Sequence, residues 1–305
     1  MHLSDCHPLI ISGAPRSGTS LLYNLFDGHP DVSWLVDEGF LFEYLNDIGA
    51  AGVGIFLDAV PTDIDDIVRG VRDKQVMPPL HLPFKQSKEL GTVSTVDIDG
   101  PWSEAAFRAA LKEPRGADVA DLWRWLVVAF LAGMYETPKR YACMKSPDYG
   151  KSSAAALGAI PETRTIVIVR DPLFAVDSLK RSREMRGEKL LTWPLIAQTI
   201  RNFQKLHERV RGADPKRLRA VRFESLTANP KGTMSDLADW LGIPFDPCLL
   251  QPTMRGQHWP GVSSFSVTSG IETAPTERPI QALTGAEQDL IRAHLGGLRK
   301  AFDYG

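Results

Sequence analysis

Strand, glycine loop and helix follow one another without a break near the start of this chain. The apolar run Pro8-Leu9-Ile10-Ile11-Ser12 enters Gly13-Ala14-Pro15-Arg16-Ser17-Gly18-Thr19-Ser20, and the helix-patterned Leu21-Leu22-Tyr23-Asn24-Leu25-Phe26 follows. Gly13 and Gly18 have the spacing of a nucleotide phosphate loop, but Thr19 stands where an ATP- or GTP-using loop carries its lysine. Backbone N–H groups at a helix start attract an anion with or without that lysine, because the unpaired donors and the helix dipole both favour negative charge. Arg16, inside the loop, restores a positive charge. An arginine-bearing cradle without the lysine points to a nucleotide whose terminal group is not a magnesium-bound γ-phosphate.

The remainder of the chain alternates short β-branched runs with longer helical patterns, which predicts a P-loop-like, three-layer α/β fold with a mainly parallel sheet between helices. Strands are expected at Leu9–Ser12, Tyr141–Met144, Thr165–Val169 and Arg219–Phe223. Helices are expected at Thr19–Phe26, Asp118–Tyr135, Phe174–Arg183, Pro194–Val210, Lys231–Leu241 and Glu287–Leu295, with Gly28/Pro30 and Gly242/Pro244 ending two of them. With 305 residues, 43% of them hydrophobic, the chain can bury one large core, so residues 1–305 are expected to form a single domain. Between about 45 and 117 six prolines interrupt a weak apolar pattern, which reads as an insertion or an acceptor-binding lid.

Charge and cysteine usage exclude several classes of partner. A formal net charge of −2 gives no basic surplus for nucleic acid or an anionic membrane, so any anion site must be local. The first eight residues lack the basic and apolar runs of a signal peptide, and Leu126–Met134 is too short to span a bilayer. Cys6, Cys143 and Cys248 show no metal-ligand spacing and suit a reducing compartment, so a cytoplasmic protein is expected.

A second chemical stretch is Thr165-Ile166-Val167-Ile168-Val169-Arg170-Asp171-Pro172, followed by Ser178. An arginine closing an apolar strand stands at the carboxyl edge of the sheet, where open α/β folds bind ligands. If a helix begins after Pro172, Ser178 falls within its first turns and can reach the same anion as Arg170. Two charge-assisted contacts, each worth about 1.5–3 kcal/mol, would favour a nucleotide with an extra phosphate.

These residues resemble the sulfotransferases that use 3′-phosphoadenosine 5′-phosphosulfate (PAPS). Pro15-Arg16-Ser17-Gly18-Thr19-Ser20 looks like the family's 5′-phosphosulfate loop, and Arg170 with Ser178 looks like its 3′-phosphate pair. Within the family the chain is most similar to the tyrosylprotein and related bacterial branch. That similarity continues through His29-Pro30-Asp31-Val32, Lys145-Ser146-Pro147, Val221–Leu226, Leu241-Gly242-Ile243-Pro244 and Gly261-Val262-Ser263-Ser264.

The resemblance implies in-line transfer of a sulfuryl group from PAPS to an acceptor hydroxyl, leaving the adenosine bisphosphate PAP, with no metal required. Lys145 falls on the lysine that contacts the transferring group, and Arg16 and Ser263 fall where other stabilising contacts arise. Asp37 and Glu38 are the candidates for a general base: ungapped alignment puts Asp37 on the branch's glutamate, whereas Glu38 keeps the side chain one position later. On the nucleotide side the resemblance also implicates Ser264, Phe223 in place of a tyrosine, Arg181 or Arg183 near the adenine, and Arg278 for a late lysine. His29 is expected only to shape a turn.

A small-molecule, carbohydrate or lipid hydroxyl is the expected acceptor, with a peptide tyrosine as the alternative; a homodimer is left open. Aromatic residues between 39 and 117, among them Phe40, Phe42, Tyr44 and Phe107, can line the acceptor pocket or fill core. A P-loop kinase is the rival class, with Asp171 as its magnesium ligand.

Overall fold

The computed structural model describes residues 6–35, 103–113, 118–185, 187, 193–259, 271 and 279–304. Five parallel strands form the central sheet: β1 (His7–Gly13), β2 (Val32–Trp34), β3 (Tyr141–Ser146), β4 (Arg164–Val169) and β5 (Leu218–Arg222). They lie in the order β2-β3-β1-β4-β5. The helices are α1 (Thr19–Asn24), α2 (Glu104–Ala110), α3 (Val119–Gly133), α4 (Lys151–Ala159), α5 (Pro172–Met185), α6 (Trp193–Gly212), α7 (Phe223–Ala228), α8 (Pro230–Leu241) and α9 (Gly285–Ala301). A 3-10 helix (Pro247–Leu250) and a short antiparallel hairpin, β6 (Thr253–Met254) with β7 (Gln257–His258), complete the described elements.

Both faces of the sheet are covered, which is why β1, β3 and β4 read as unbroken apolar runs rather than alternating ones. Side-chain alternation sorts each strand between two layers. Leu9, Ile11, Cys143, Ile166 and Ile168 pack with Leu22 and Phe26 near α1 and with Met234 and Leu237 of α8. On the opposite face Ile10, Ala142 and Met144 meet Trp123, Val127 and Phe130 of α3, while Val167 and Val169 meet residues of α5, α6 and α9. Alternation also assigns Lys145 to the same side as Tyr141 and Cys143, the layer that α1 occupies.

All four predicted strands form, with one correction. Phe223 does not extend β5 but opens α7, because the chain turns from extended backbone at Arg222 into helix there. Within 45–117, residues 103–113 contain α2, capped by Ser103 Oγ accepting from the Ala106 N–H at 3.1 Å. Its Phe107 and the following Leu111 are buried beside Trp123, so this aromatic fills core. The other aromatics named for the acceptor pocket lie outside the described residues.

Asp27, just after α1, fastens the β6–β7 hairpin. Its buried Oδ2 accepts from Thr253 Oγ1 and from the Gly256 N–H, both at 2.8 Å. Asp27→Ala would remove both charge-assisted bonds and is expected to cost about 2–3 kcal/mol. An unchanged urea midpoint for the purified variant would contradict this.

Candidate active site

The order of strands fixes where a ligand can sit. β1 lies beside β4, and β1 leads to β2 on one side while β4 leads to β5 on the other, so the crevice at their carboxyl ends is a topological switch point. The loop 14–18 occupies that crevice. Gly13 allows the turn because a side chain there would run into the Ile168 carbonyl. Gly18 adopts φ +94°, and a Cβ on it would overlap the Phe223 ring. Arg16 is itself in the left-handed region at φ +69°, a conformation a non-glycine residue holds only when its surroundings impose it.

Those surroundings are the second motif. Arg170 Nη1 donates to the Arg16 carbonyl at 3.0 Å, and Arg16 Nε donates to Ser178 Oγ at 3.2 Å. The phosphate loop and the Arg170/Ser178 pair are therefore one connected cluster. Arg170 also lies over the Phe223 ring, its guanidinium carbon 4.8 Å from the centroid, so the same aromatic touches both the loop at Gly18 and the arginine.

Lys145 reaches the loop from β3. Its buried Nζ donates to Ser20 Oγ in the first turn of α1 at 3.1 Å, which places an ammonium beside the cradle where the usual loop lysine is absent. Ser17 is fully buried and its hydroxyl has no hydrogen-bond partner among the described residues. Thr19 is buried, whereas Pro15, Gly18 and Ser20 are part-exposed. A loop with no room for side chains at Gly13 and Gly18, an orphaned buried hydroxyl and converging cations fits the phosphate groups of a nucleotide donor.

Tyr149 supports the cluster, although nothing in the sequence singled it out. Its N–H donates to the Gly13 carbonyl at 3.0 Å, and its carbonyl accepts from Arg209 Nη1 at 2.7 Å. Burial pushes the Tyr149 phenol up to about 12, against the opposing pull of the Thr199 hydrogen bond and the Arg183 charge. It is therefore protonated at neutral pH and does not act as a base. Arg183 lies half-buried on α5, on the side of Tyr149.

Other expectations resolve individually. His29 Nδ1 accepts the Asp31 N–H at 3.0 Å, and its Nε2 lies 3.0 Å from the Pro244 carbonyl, which makes it a turn-forming residue. Asp171 is occupied: one oxygen accepts from the Leu173 N–H at 3.0 Å and the other faces Arg299 at 3.4 Å. Burial raises its pKa, only partly offset by those two partners. Asp37, Glu38, Ser263, Ser264 and Arg278 lie outside the described residues. Among the described residues no group of three His, Cys, Asp or Glu side chains could hold a metal ion, and no helix is long and apolar enough to cross a membrane.

A parallel sheet with a glycine loop at its switch point defines an α/β protein of the P-loop-like kind. Its family is also defined: residues 66–247, well over half of the chain, match the model of the Sulfotransferase family, and the chain belongs to it. The match begins beyond the phosphate loop and takes in part of 45–117. The omega-hydroxy-beta-dihydromenaquinone-9 sulfotransferases Stf3 of Mycobacterium bovis and Mycobacterium tuberculosis are each 24% identical over 144 residues, 44% of this chain and 37% of theirs. The aligned part thus spans little more than a third of the length of these curated relatives. The sulfotransferase domain from the curacin biosynthetic pathway has the same fold, with a TM-score of 0.51 and 17% identity over 95% of this chain and 97% of that one.

Gly18→Ala is expected to destabilise the protein by about 2 kcal/mol, from the left-handed backbone and the overlap with Phe223 together. Adding Phe223→Leu should return part of that loss, since it relieves the overlap but not the backbone strain. Additive losses in a denaturation double-mutant cycle would contradict the contact.

Proposed function

We propose that this protein transfers a sulfuryl group from PAPS to the hydroxyl of a small molecule, carbohydrate or lipid. The observation that carries the reading is the joining of loop and arginine pair through Arg16, because it brings cations for two separate phosphates into one cluster. Arg170 and Ser178 would hold the 3′-phosphate. Loop residues 15–20 would hold the 5′-phosphosulfate, with Phe223 beside them, Arg183 toward the adenine, and Ser264 and Arg278 completing the nucleotide site.

When bound, the donor supplies the sulfuryl group and a leaving phosphate oxygen. Lys145, entering from β3 beside Ser20, offers an ammonium where negative charge grows on that oxygen; Arg16 and Ser263 add donors. A carboxylate, Glu38 or Asp37, takes the acceptor's proton. Support for this assignment comes from β2: it runs parallel beside the strand of Lys145, the Leu35 N–H donating to the Cys143 carbonyl at 2.9 Å, and both acids follow Leu35 closely in sequence.

The lipid part of the acceptor range draws support from the Stf3 relatives, whose name gives a hydroxylated menaquinone. A kinase reading would need Asp171 for magnesium, and that carboxylate is committed to the start of α5 and to Arg299.

Incubation with sulfur-labelled PAPS and a panel of hydroxyl acceptors should transfer label without added metal. Lys145→Ala should lower kcat by about 10²–10³-fold while the affinity for adenosine 3′,5′-bisphosphate stays within about threefold. Unchanged turnover in that variant would remove Lys145 from the reaction.

A further inference from the structure

We infer that Asp177 is a positioning residue for nucleotide recognition: it locks the rotation of α5 so that the neighbouring Ser178 faces the phosphate loop. Asp177 is buried, and its Oδ1 accepts from three successive backbone N–H groups, those of Gln281, Ala282 and Leu283, at 3.0, 2.7 and 3.3 Å. Three consecutive amides converging on one point form the kind of concavity that binds an anion, and here the anion is a side chain of the same protein. The segment 281–283 leads directly into α9, so the contact ties α5 to the start of that helix.

A second tie lies on the same side of α5. Lys180 Nζ donates to both Glu287 oxygens, at 3.0 and 2.8 Å, in an ion pair that is largely sequestered from solvent. Glu287 is fixed in turn, because its Oε2 also accepts from the Thr284 N–H at 2.8 Å and closes the capping box of α9. Each helical residue is turned about 100° from the one before, so positions 177 and 180 share a side while 178 and 180 point in nearly opposite directions. With 177 and 180 held against the 281–287 segment, Ser178 is turned toward the loop, where its Oγ accepts from Arg16.

Hydrogen bonds are directional, and a few tens of degrees of helix rotation would carry the Ser178 hydroxyl out of line with both Arg16 and a phosphate beside it. Asp177 thus acts through Ser178 rather than on a ligand, and its effect falls chiefly on the 3′-phosphate, because the loop keeps its tie to Arg170 through the Arg16 carbonyl. This role rests on the donor reading above, and the two can be tested separately.

The experiment is calorimetric titration of adenosine 3′,5′-bisphosphate and of AMP, which lacks the 3′-phosphate, into the full chain. The unaltered protein should prefer the bisphosphate. Asp177→Ala should weaken bisphosphate binding about tenfold and AMP binding by less than about twofold, because the charged hydrogen-bonding arrangement is lost at the 3′ end while the loop keeps its Arg170 tie. Asp177→Asn, which keeps an acceptor oxygen in place, should restore most of the preference. If Asp177→Ala does not fold, Asp177→Glu, which keeps the charge but displaces the carboxylate by a methylene, should reduce the preference about threefold. A preference that survives either folded variant intact overturns the positioning role alone, as does an equal loss for both nucleotides. Equal affinity of the unaltered protein for the two nucleotides overturns the donor reading, and the positioning role with it.

Discussion

The carbonyl of Arg16 is where the two halves of the site meet. Left to itself, an arginine avoids the left-handed backbone that Arg16 adopts; the Arg170 guanidinium holds its carbonyl while the Arg16 side chain reaches Ser178. The loop between Gly13 and Gly18 is thereby shaped by residues more than 150 positions away in sequence. Everything else at the site leans on this junction. Phe223 packs against Gly18 under Arg170, Tyr149 holds the Gly13 carbonyl, and Lys145 meets the first turn of α1.

The parallel sheet explains why these residues can converge at all. Strands β1, β3 and β4 point the same way, so the residues at or just beyond their carboxyl ends, namely the loop, Lys145 and Arg170, arrive at one edge. Alternation along β3 then puts Lys145 on the α1 side of the sheet, and the helix following β4 carries Ser178 back toward the loop. An ammonium supplied from a neighbouring strand thus lies beside a cradle whose position 19 is a threonine.

Much of this was legible in the sequence because local signals and global fold agree. Ile10-Ile11 before Gly13, and Ile166 to Val169 before Arg170, are buried on both sides and so read as strands by composition alone. Elements with weaker local signals were missed. β2 is only three residues long and follows a His-Pro turn, α4 is an alanine-rich helix with little amphipathic pattern, and α2 lies in a proline-interrupted stretch. Phe223, itself a β-former two residues after Val221, reads as strand, whereas the backbone turns into α7 there. The roles of Tyr149 and Asp177 could not be read at all, since a backbone N–H and a carboxylate gathering three amides leave no motif behind.

The central claim is that one nucleotide bridges the loop and the Arg170/Ser178 pair. A crystal structure of the protein soaked with adenosine 3′,5′-bisphosphate tests it directly. The account predicts the 5′-phosphate against the backbone of the loop at 16–20 and the 3′-phosphate within hydrogen-bonding distance of Arg170 and Ser178. A nucleotide bound with its 3′-phosphate in solvent, or bound away from the carboxyl end of β1, would contradict it.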